Sequence, residues 1–304
     1  MTLNSTKTLI VVAGPTASGK TALAIELAQK LKTEIISADS RQFYREMSIG
    51  TAKPTPDELS QAKHHFIDSL SITDSFSVGD FEHQGLTLLE DIFKTHDAAV
   101  LVGGSGLFIK AICEGFDELP TVSPETRGRL NLELEEKGIV YLQEKLKAAD
   151  PVYYNQVDLN NPQRIIRALE VFESMGIPFS SYRKGSANPR PFRSVKIGID
   201  LPREVLYQRI NRRVDIMVEQ GLVEEVQALL PYRHLNALNT VGYSELFDYF
   251  DGKTDLETAI SLIKQNTRRF AKRQMTWFRK DKTIHWISSN DLATANDILN
   301  LELS

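Results

Sequence analysis

The amino-acid sequence predicts an α/β protein built on a parallel β-sheet that is flanked by helices. Short apolar runs typical of buried strands alternate with amphipathic segments typical of helices, a pattern that favours a parallel sheet. A glycine-rich loop with a Lys-Thr pair at its end follows the first apolar run. Polar or glycine residues directly follow four of the runs, at the strand ends where parallel sheets bind their ligands.

The core elements follow in order along the chain. "TLIVVAG" (8–14) is predicted to be a buried strand, and residues 21–31 a helix whose apolar stripe includes Leu27 and Leu31. Further strands are predicted at "EIISAD" (34–39), "AAVLVGG" (98–104), "VKIGID" (195–200) and "IHWI" (284–287). A long helix is predicted to begin near Pro202. The ends of the first four strands carry Gly14, Asp39, Gly103 and Asp200.

The middle of the chain, from about Pro120 to Pro191, shows helical patterns only. Ser123 and Asn161 are predicted N-caps, each followed by a proline at the first helical position. The second of these helices is predicted to end at Gly176, and "KGSANPRP" (184–191) to be the returning linker. The predicted organisation is a first part of the core (1–118), an inserted all-helical domain (119–190), and a second part of the core with a helical C-terminal part (191–304).

The composition is that of an ordinary globular protein, with 41% hydrophobic and 25% charged residues among 304. The single cysteine, Cys113, excludes an internal disulfide framework and a cysteine metal cluster. No apolar run approaches the roughly 20 residues that span a bilayer. We therefore expect no membrane segment and a cytoplasmic protein.

Residues 14–21, "GPTASGKT", match a phosphate-binding loop between a strand and a helix. In such loops the backbone amides and the helix N-terminus hold a polyphosphate, the lysine reaches its outer oxygens and the last hydroxyl holds Mg²⁺. The pattern predicts a P-loop NTPase-like core with Mg²⁺ as cofactor and Thr21 as its ligand. The alternative is a tight turn without a ligand, and the pattern leaves open which phosphate binds. The loop residues are Gly14, Pro15, Thr16, Ala17, Ser18, Gly19, Lys20 and Thr21.

Three further sets of residues are candidates for chemistry near such a loop. Asp39 could bind Mg²⁺ through water or accept a proton from a substrate, or it could simply cap the following turn. Arg209 and Arg213 lie four apart on one predicted helix and could neutralise a departing pyrophosphate, or they could form a solvated helix face. His64 and His65 have no nearby cysteine or acid pair, so they are predicted to belong to a loop and not to a metal site.

One segment is set apart by its charge. Residues 267–282 carry a net charge of +6 in a chain whose net charge is −4, so the other 288 residues sum to −10. The cations of this segment indicate a docking site for an anionic partner. They include Arg268, Arg269, Lys272 and Arg273. The interleaved aromatic residues Phe270, Trp277 and Phe278 are more typical of a helix core than of base stacking.

Together these motifs resemble those of bacterial tRNA dimethylallyltransferases, the tRNA isopentenyl transferase family. The resemblance extends from about residue 8 to residue 287 and is far more specific than the phosphate loop alone. The motifs that carry it are, in chain order, "GPTASGKT", "ISADSRQFYREMSIGTAKP", "LVGGSGLF", "NPQRIIRALEVF", "QRINRRVDIMVEQGLVEEV", "NTVGYSEL" and "RRFAKRQMTWFRK".

The resemblance implies transfer of a dimethylallyl group from dimethylallyl pyrophosphate to the exocyclic amine of the adenosine at tRNA position 37, beside the anticodon. It implies that the loop binds the pyrophosphate, that Asp39 is the general base, and that Lys20 and Arg213 stabilise the leaving group. We expect a monomer whose helical insertion clasps the anticodon stem-loop. The implied tRNA contacts are Asp39, Ser40, Arg41, Gln42, Ser105, Arg127, Gln163, Arg164, Ile165, Ile166 and Arg167. Lys272 and Arg273 are predicted to contact phosphates of the RNA.

The chain departs from the family at "GGSGLF", where Ser105 and Phe108 stand in place of the more usual Thr and Tyr. A hydroxyl is kept at the first position and a phenol is missing at the second. An adenylate isopentenyltransferase, which prenylates free nucleotide, shares the loop and Asp39, but the basic segment and the insertion favour tRNA. More distant alternatives are a P-loop kinase and a non-catalytic RNA-binding protein with a nucleotide switch.

Overall fold

The computed structural model describes residues 7–117, 119–120, 122–183, 189–288 and 291–303. Its strands are β1 (Thr8–Ala13), β2 (Ile35–Ser37), β3 (His64–His65), β4 (Ala98–Gly103), β5 (Arg193–Ile199) and β6 (Ile284–Ile287). Its α-helices are α1 (Lys20–Leu31), α2 (Pro56–Gln61), α3 (Val78–Thr95), α4 (Gly106–Glu114), α5 (Pro124–Ala149), α6 (Pro151–Tyr154), α7 (Pro162–Met175), α8 (Arg203–Glu219), α9 (Leu222–Ala228), α10 (Tyr243–Phe250), α11 (Leu256–Phe278) and α12 (Leu292–Leu303). Residues 184–188 of the predicted linker lie outside the described residues.

The strands form one parallel sheet in the order β3-β2-β4-β1-β5-β6. β1 lies between β4 and β5, with Val11 opposite both Leu101 and Lys196. The crossovers that leave β1 and β4 go in opposite directions across the sheet, so the topological switch point lies between these two strands. The predicted α/β fold is confirmed, and the carboxyl ends of β1 and β4 are where such a sheet binds its ligand.

Strand β1 is buried on both faces, which explains its uninterrupted apolar run. Leu9 and Val11 face a cluster that α3 and α4 complete, whereas Ile10 and Val12 face a cluster completed by α1 and α12. The position of β1 at the centre of the sheet is therefore fixed by apolar burial on two sides, and the phosphate loop follows directly from it.

One edge of the sheet differs from the prediction. His64 and His65 form the edge strand β3, in register with Ile35 and Ile36 of β2, so the prediction of a loop is wrong. A two-residue strand is too short to show a periodicity in the sequence. In the helical insertion, Gly138 is a kink with φ 78° and ψ 174°, and α5 continues beyond it.

The chain divides into two compact units. Unit 1 comprises Met1–Cys113 and Arg190–Ser304 and contains the sheet, and unit 2 comprises Glu114–Pro189. Unit 2 has an apolar core of its own, in which Leu142 of α5 and Leu169 of α7 are completely buried.

The predicted N-caps of the two long helices of unit 2 are confirmed. Oγ of Ser123 accepts from the N–H of Glu125, and Oδ1 of Asn161 accepts from the N–H of Arg164, each at 3.2 Å. Gly176 ends α7 in the left-handed region, with φ 68°. Within the described ranges, none of the helices combines the length and the apolar composition that crossing a membrane requires.

Candidate active site at the carboxyl ends of the strands

The loop between β1 and α1 has the backbone conformation of an anion-binding turn. Gly14, Ala17 and Gly19 have positive φ values of 154°, 63° and 97°. A side chain at Gly14 would lie 3.1 Å from Oγ of Ser18 and 3.3 Å from the carbonyl oxygen of Ile199, so glycine is required there. Because α1 begins directly after this loop, the amides of its first turn have no partner inside the helix and can bind an anion.

Lys20 lies at the start of α1 and folds back over the loop. Its Nζ donates to the carbonyl oxygen of Pro15 at 2.8 Å. Desolvation lowers the pKa of Lys20 to about 8, with a raising effect of Asp39 and a smaller lowering effect of Arg213. An anion bound in the loop would replace water around the ammonium and favour its charged form. Lys20 is therefore placed to bind an anion as a positive point charge.

Helix α8 directs the two predicted arginines at the same loop. Nη1 of Arg213 lies 3.4 Å from Oγ1 of Thr16, and Nη1 of Arg209 lies 3.5 Å from the carbonyl oxygen of Ser18. Desolvation lowers the pKa of Arg213, although a guanidinium stays charged throughout the physiological range. The alternative of a purely solvated helix face is wrong for Arg213, which is half-buried beside the loop.

Asp39 follows β2 and lines the same cavity as Lys20 and Arg213. Its Oδ1 accepts from the N–H of Arg41 at 3.1 Å, so the turn-capping role is present. Desolvation lowers the pKa of both Lys20 and Arg213, and nearby carboxylates partly oppose this effect: Asp39 at Lys20, and Glu58 and then Asp39 at Arg213. One carboxylate oxygen thus holds the turn, and among the described residues no hydrogen bond to the other oxygen is seen.

The neighbours of Asp39 are held by other loops. Ser40 donates its N–H to Oγ of Ser105 at 3.3 Å, which uses the hydroxyl kept at that position. The guanidinium of Arg41 donates to the carbonyl oxygens of Asn236 and Asn239 at 3.1 and 3.2 Å. The side chain of Gln42 donates to backbone carbonyls of the loop at 51–52. These side chains therefore fix the shape of the cavity wall.

Gln274 of α11 is a site residue that sequence reasoning missed. It is 7% exposed, its Oε1 accepts from the N–H of Thr16 at 3.0 Å, and its Nε2 donates to the carbonyl oxygen of Gly104 at 2.9 Å. The amide therefore ties the phosphate loop to the turn after β4. The sequence contained a signal for this residue. Gln274 lies three residues after Ala271 and four before Phe278, both of which are buried, so it is a polar residue on the buried face of the helix.

A cavity of about 1150 Å³ opens at these strand ends. Its polar lining includes Thr16, Lys20, Asp39, Arg213 and Gln274. Its apolar lining includes Ile49, Val214, Met217, Leu222, Phe270 and Trp277. The cavity therefore offers a cationic phosphate site and an apolar wall next to each other.

The aromatic residues of the basic segment are not all core residues. Phe278 is buried, but Phe270 and Trp277 are about 40% exposed and line the cavity, so the prediction of a core role is wrong for these two. A Cβ on Gly106 would lie 2.2 Å from the indole of Trp277. The start of α4 thus packs directly on this ring. Helical spacing alone could not tell a core aromatic from one at a cavity.

The cations of α11 differ in their surroundings. Arg273 lines the cavity, with its guanidinium 5.8 Å from the ring centroid of Phe270. Lys272 is exposed. Arg268 and Arg269 donate to asparagine side chains of α8 and α11 at 2.6 and 3.2 Å. Lys272 and Arg273 are thus both exposed to solvent.

In unit 2, two of the predicted RNA-binding arginines lie next to a buried carboxylate. Oε1 of Glu170, which is completely buried, lies 2.6 Å from Nη1 of Arg167 and 3.5 Å from Nη1 of Arg127. Arg127 of α5 also donates to Oε1 of Gln163 of α7 at 3.0 Å. Arg164 of α7 is exposed.

Two of the predicted tRNA contacts in α7 are core residues. Ile165 and Ile166 are completely buried in the core of unit 2. Their side chains support α7 and are not available to an RNA. The motif therefore contains both surface and core positions, as the 3.6-residue period of a helix requires.

Comparison with known proteins identifies the family. The family model described as IPP transferase matches residues 42–281. The chain belongs to the IPP transferase family. The resemblance inferred from the motifs is thereby confirmed.

Two similar proteins named tRNA dimethylallyltransferase cover nearly the whole chain. A tRNA dimethylallyltransferase of Christiangramia forsetii is 57% identical over 283 residues, which cover 93% of this chain and 94% of that protein. A tRNA dimethylallyltransferase of Cytophaga hutchinsonii is 47% identical over 297 residues, or 98% of each chain.

Solved structures of the family show the same fold. A full-length tRNA isopentenylpyrophosphate transferase of Bacillus halodurans superposes with a TM-score of 0.70 at 38% identity, covering 97% of this chain and 94% of that one. A eukaryotic dimethylallyltransferase acting on tRNA superposes with a TM-score of 0.79 at 25% identity, covering 97% of this chain and 77% of that one.

Proposed function

We propose that this chain transfers a dimethylallyl group from dimethylallyl pyrophosphate to the exocyclic amine of the adenosine at tRNA position 37, and releases pyrophosphate. The observation that carries the proposal is a single cavity in which a phosphate loop, Arg213 and Asp39 meet beside an apolar wall. The names of the relatives, tRNA dimethylallyltransferase, support the same reaction.

The donor is bound by the phosphate loop through its pyrophosphate. The amides at the start of α1, Lys20 and Arg213 bind the diphosphate oxygens, and the apolar lining that α8 and α11 contribute (Val214, Met217, Phe270 and Trp277) holds the five-carbon chain. During transfer the bond between the allylic carbon and the diphosphate oxygen breaks, and negative charge builds on the leaving group. Fixed cations aimed at that charge stabilise the transition state more than the bound substrate. This difference lowers the barrier.

The acceptor amine is positioned by the segment after β2. The adenosine leaves the anticodon-loop stack to enter the cavity, as enzymes that modify bases require. Its exocyclic nitrogen forms the new bond to the allylic carbon, and Asp39 accepts the proton that the nitrogen loses. Asp39 suits this role because it lines the cavity close to the side-chain cations that bind the leaving group.

The residues present fit a bound Mg²⁺. Thr21 and Asp39 both line the cavity and offer hard oxygen ligands. Among the described residues there is no cluster of three or more His, Cys, Asp or Glu side chains that could hold a metal. Mg²⁺ is usually held by one or two protein oxygens together with substrate phosphates and water. When bound, the ion supplies further charge neutralisation for the pyrophosphate.

The tRNA is held by two basic surfaces. One is formed by Lys272 and Arg273 on α11, and the other by Arg127, Arg164 and Arg167 of unit 2. Arginine guanidinium groups suit phosphate oxygens because they can donate two parallel hydrogen bonds. The insertion clasps the anticodon stem-loop in this proposal, and the protein acts as a monomer in the cytoplasm.

The proposed function is tested by mass analysis of tRNA nucleosides after incubation with the protein, Mg²⁺ and dimethylallyl pyrophosphate. We expect one added isoprenyl group on adenosine. Parallel reactions contain AMP in place of tRNA, and ATP in place of the prenyl donor. Prenylation of AMP at the rate of a stem-loop would support the adenylate enzyme, and phosphoryl transfer from ATP would support a kinase.

Lys272→Gln/Arg273→Gln is expected to weaken tRNA binding without changing the preference among tRNAs. Phosphate contacts release counterions, so the slope of log affinity against log salt should become flatter by about one to two units. The measurement is a salt titration of the Kd for an anticodon stem-loop. The control is Lys30→Gln/Lys32→Gln, which removes the same charge from exposed positions at the far end of α1. An unchanged slope in the first variant would mean that the tRNA lies elsewhere.

A further inference from the structure

A single carboxylate on α9 holds the loop that follows the Asp39 segment. Oε2 of Glu225 accepts from the backbone N–H groups of Ser48 and Ile49 at 3.0 and 2.7 Å. Oε1 accepts from the N–H of Gly50 at 3.0 Å and from the hydroxyl of Tyr243 at 2.6 Å. Three successive backbone donors therefore converge on one side chain that is distant in sequence. Both of its oxygens are used.

The tyrosine completes this anchor. Tyr243 is completely buried, and its burial together with the Glu225 carboxylate raises its pKa, so the hydroxyl keeps its proton and donates it. The ring lies against the loop, since a Cβ on Gly50 would be 2.6 Å from a ring carbon. The loop thus packs against the phenol end of the buried ring, where a side chain at Gly50 has no room.

The far side of the same loop holds the segment that carries the proposed base. Nε2 of Gln42 donates to the carbonyl oxygens of Thr51 and Ala52 at 3.2 and 3.0 Å. The backbone N–H of Gln42 in turn donates to the carbonyl oxygen of Asp39 at 3.1 Å. A continuous set of hydrogen bonds therefore leads from Glu225 through residues 48–52 and Gln42 to Asp39.

We propose that Glu225 is a positioning residue for prenyl transfer, which sets the place of Asp39 through the loop at 48–52. This inference rests on the proposed function. The phosphate loop is tied separately, by Gln274 to the turn after β4. The anchor should therefore affect the acceptor side of the reaction and leave the donor side intact. A misplacement of about 1 Å at a catalytic group can cost about a hundredfold in rate.

The test is the single-turnover rate of Glu225→Gln on an anticodon stem-loop at saturating dimethylallyl pyrophosphate. The amide keeps one acceptor oxygen but turns an NH₂ donor toward backbone N–H donors. We expect the rate to fall about ten- to a hundredfold, with the Kd of dimethylallyl pyrophosphate unchanged by calorimetry. The matched control is Glu224→Gln, which removes the same charge from the exposed neighbouring residue and should transfer at the wild-type rate.

Several results would overturn the proposal. They are a wild-type rate in Glu225→Gln, an equal loss in Glu224→Gln, or a loss of donor affinity in proportion to the rate. If Glu225→Gln fails to fold, Tyr243→Phe decides, because it keeps the ring on Gly50 and removes one bond of the anchor. A lower rate at unchanged donor Kd supports the proposal, and a wild-type rate overturns it. Failure of the proposed function would instead appear in the wild-type protein, which would transfer no prenyl group.

Discussion

Asp39→Asn is expected to slow prenyl transfer to an anticodon stem-loop by about a hundred- to ten-thousandfold, the range that general-base catalysis contributes. The substitution is nearly isosteric, and the asparagine Oδ1 can still accept from the N–H of Arg41, so the turn stays capped. What is lost is the basic oxygen that takes the amine proton. The measurement is the single-turnover rate with saturating donor.

The control for this variant is Asp200→Asn. Asp200 also follows a strand, but its carboxylate pairs with Arg279 at 3.1 Å, so transfer should be unaffected. Because the charge of Asp39 raises the pKa of Lys20, the donor Kd is measured on the same variant to separate the two effects. A loss of rate below about tenfold would assign Asp39 to turn capping or to a water-mediated metal contact.

Lys20→Met is expected to lower kcat/KM for dimethylallyl pyrophosphate by about a hundred- to a thousandfold, as removal of one fixed donor at a developing charge typically does. The tRNA Kd should not change. Lys30→Met, at the exposed far end of the same helix, is the control. Transfer by Lys20→Met at the wild-type rate with saturating donor would exclude a role in catalysis.

The fold should survive this substitution. The pKa of Lys20 in the folded protein, about 8, is below its ordinary value of 10.5. The charged lysine therefore destabilises the empty protein; this cost is fully present below pH 8, declines as pH rises toward 10.5, and vanishes above it. At pH 7 the free energy of unfolding of Lys20→Met should be no lower than that of the wild type.

The same pKa makes donor binding depend on pH. As pH rises through about 8, the free enzyme loses the ammonium, so the Kd of dimethylallyl pyrophosphate should increase. Lys20→Met should lack this rise, while the second ionisation of the ligand affects both proteins equally. A rise that persists in the variant would belong to another group.

The sequence was sufficient for the fold and for the phosphate loop because both depend on local patterns. The run from Thr8 to Ala13 had to be buried on both faces, and a Gly-rich turn before a helix binds anions wherever it occurs. The carboxyl ends of the strands in a parallel sheet lie at one edge, so the sequence pattern alone predicts that Asp39 lies near Lys20. The helix caps Ser123 and Asn161 were predictable for the same local reason.

Only the tertiary structure decided which side chains complete the cavity. Glu225 meets the loop at 48–50 across more than 170 residues of chain, and Gln274 reaches Thr16 from the far end of unit 1. Such contacts leave no local periodicity, because packing between distant elements creates them. The same holds for the aromatic residues of α11, where Phe278 enters the core and Trp277 lines the cavity. Which neighbours a helix face meets depends on the fold as a whole, so one residue's difference in sequence separates a core position from a binding position.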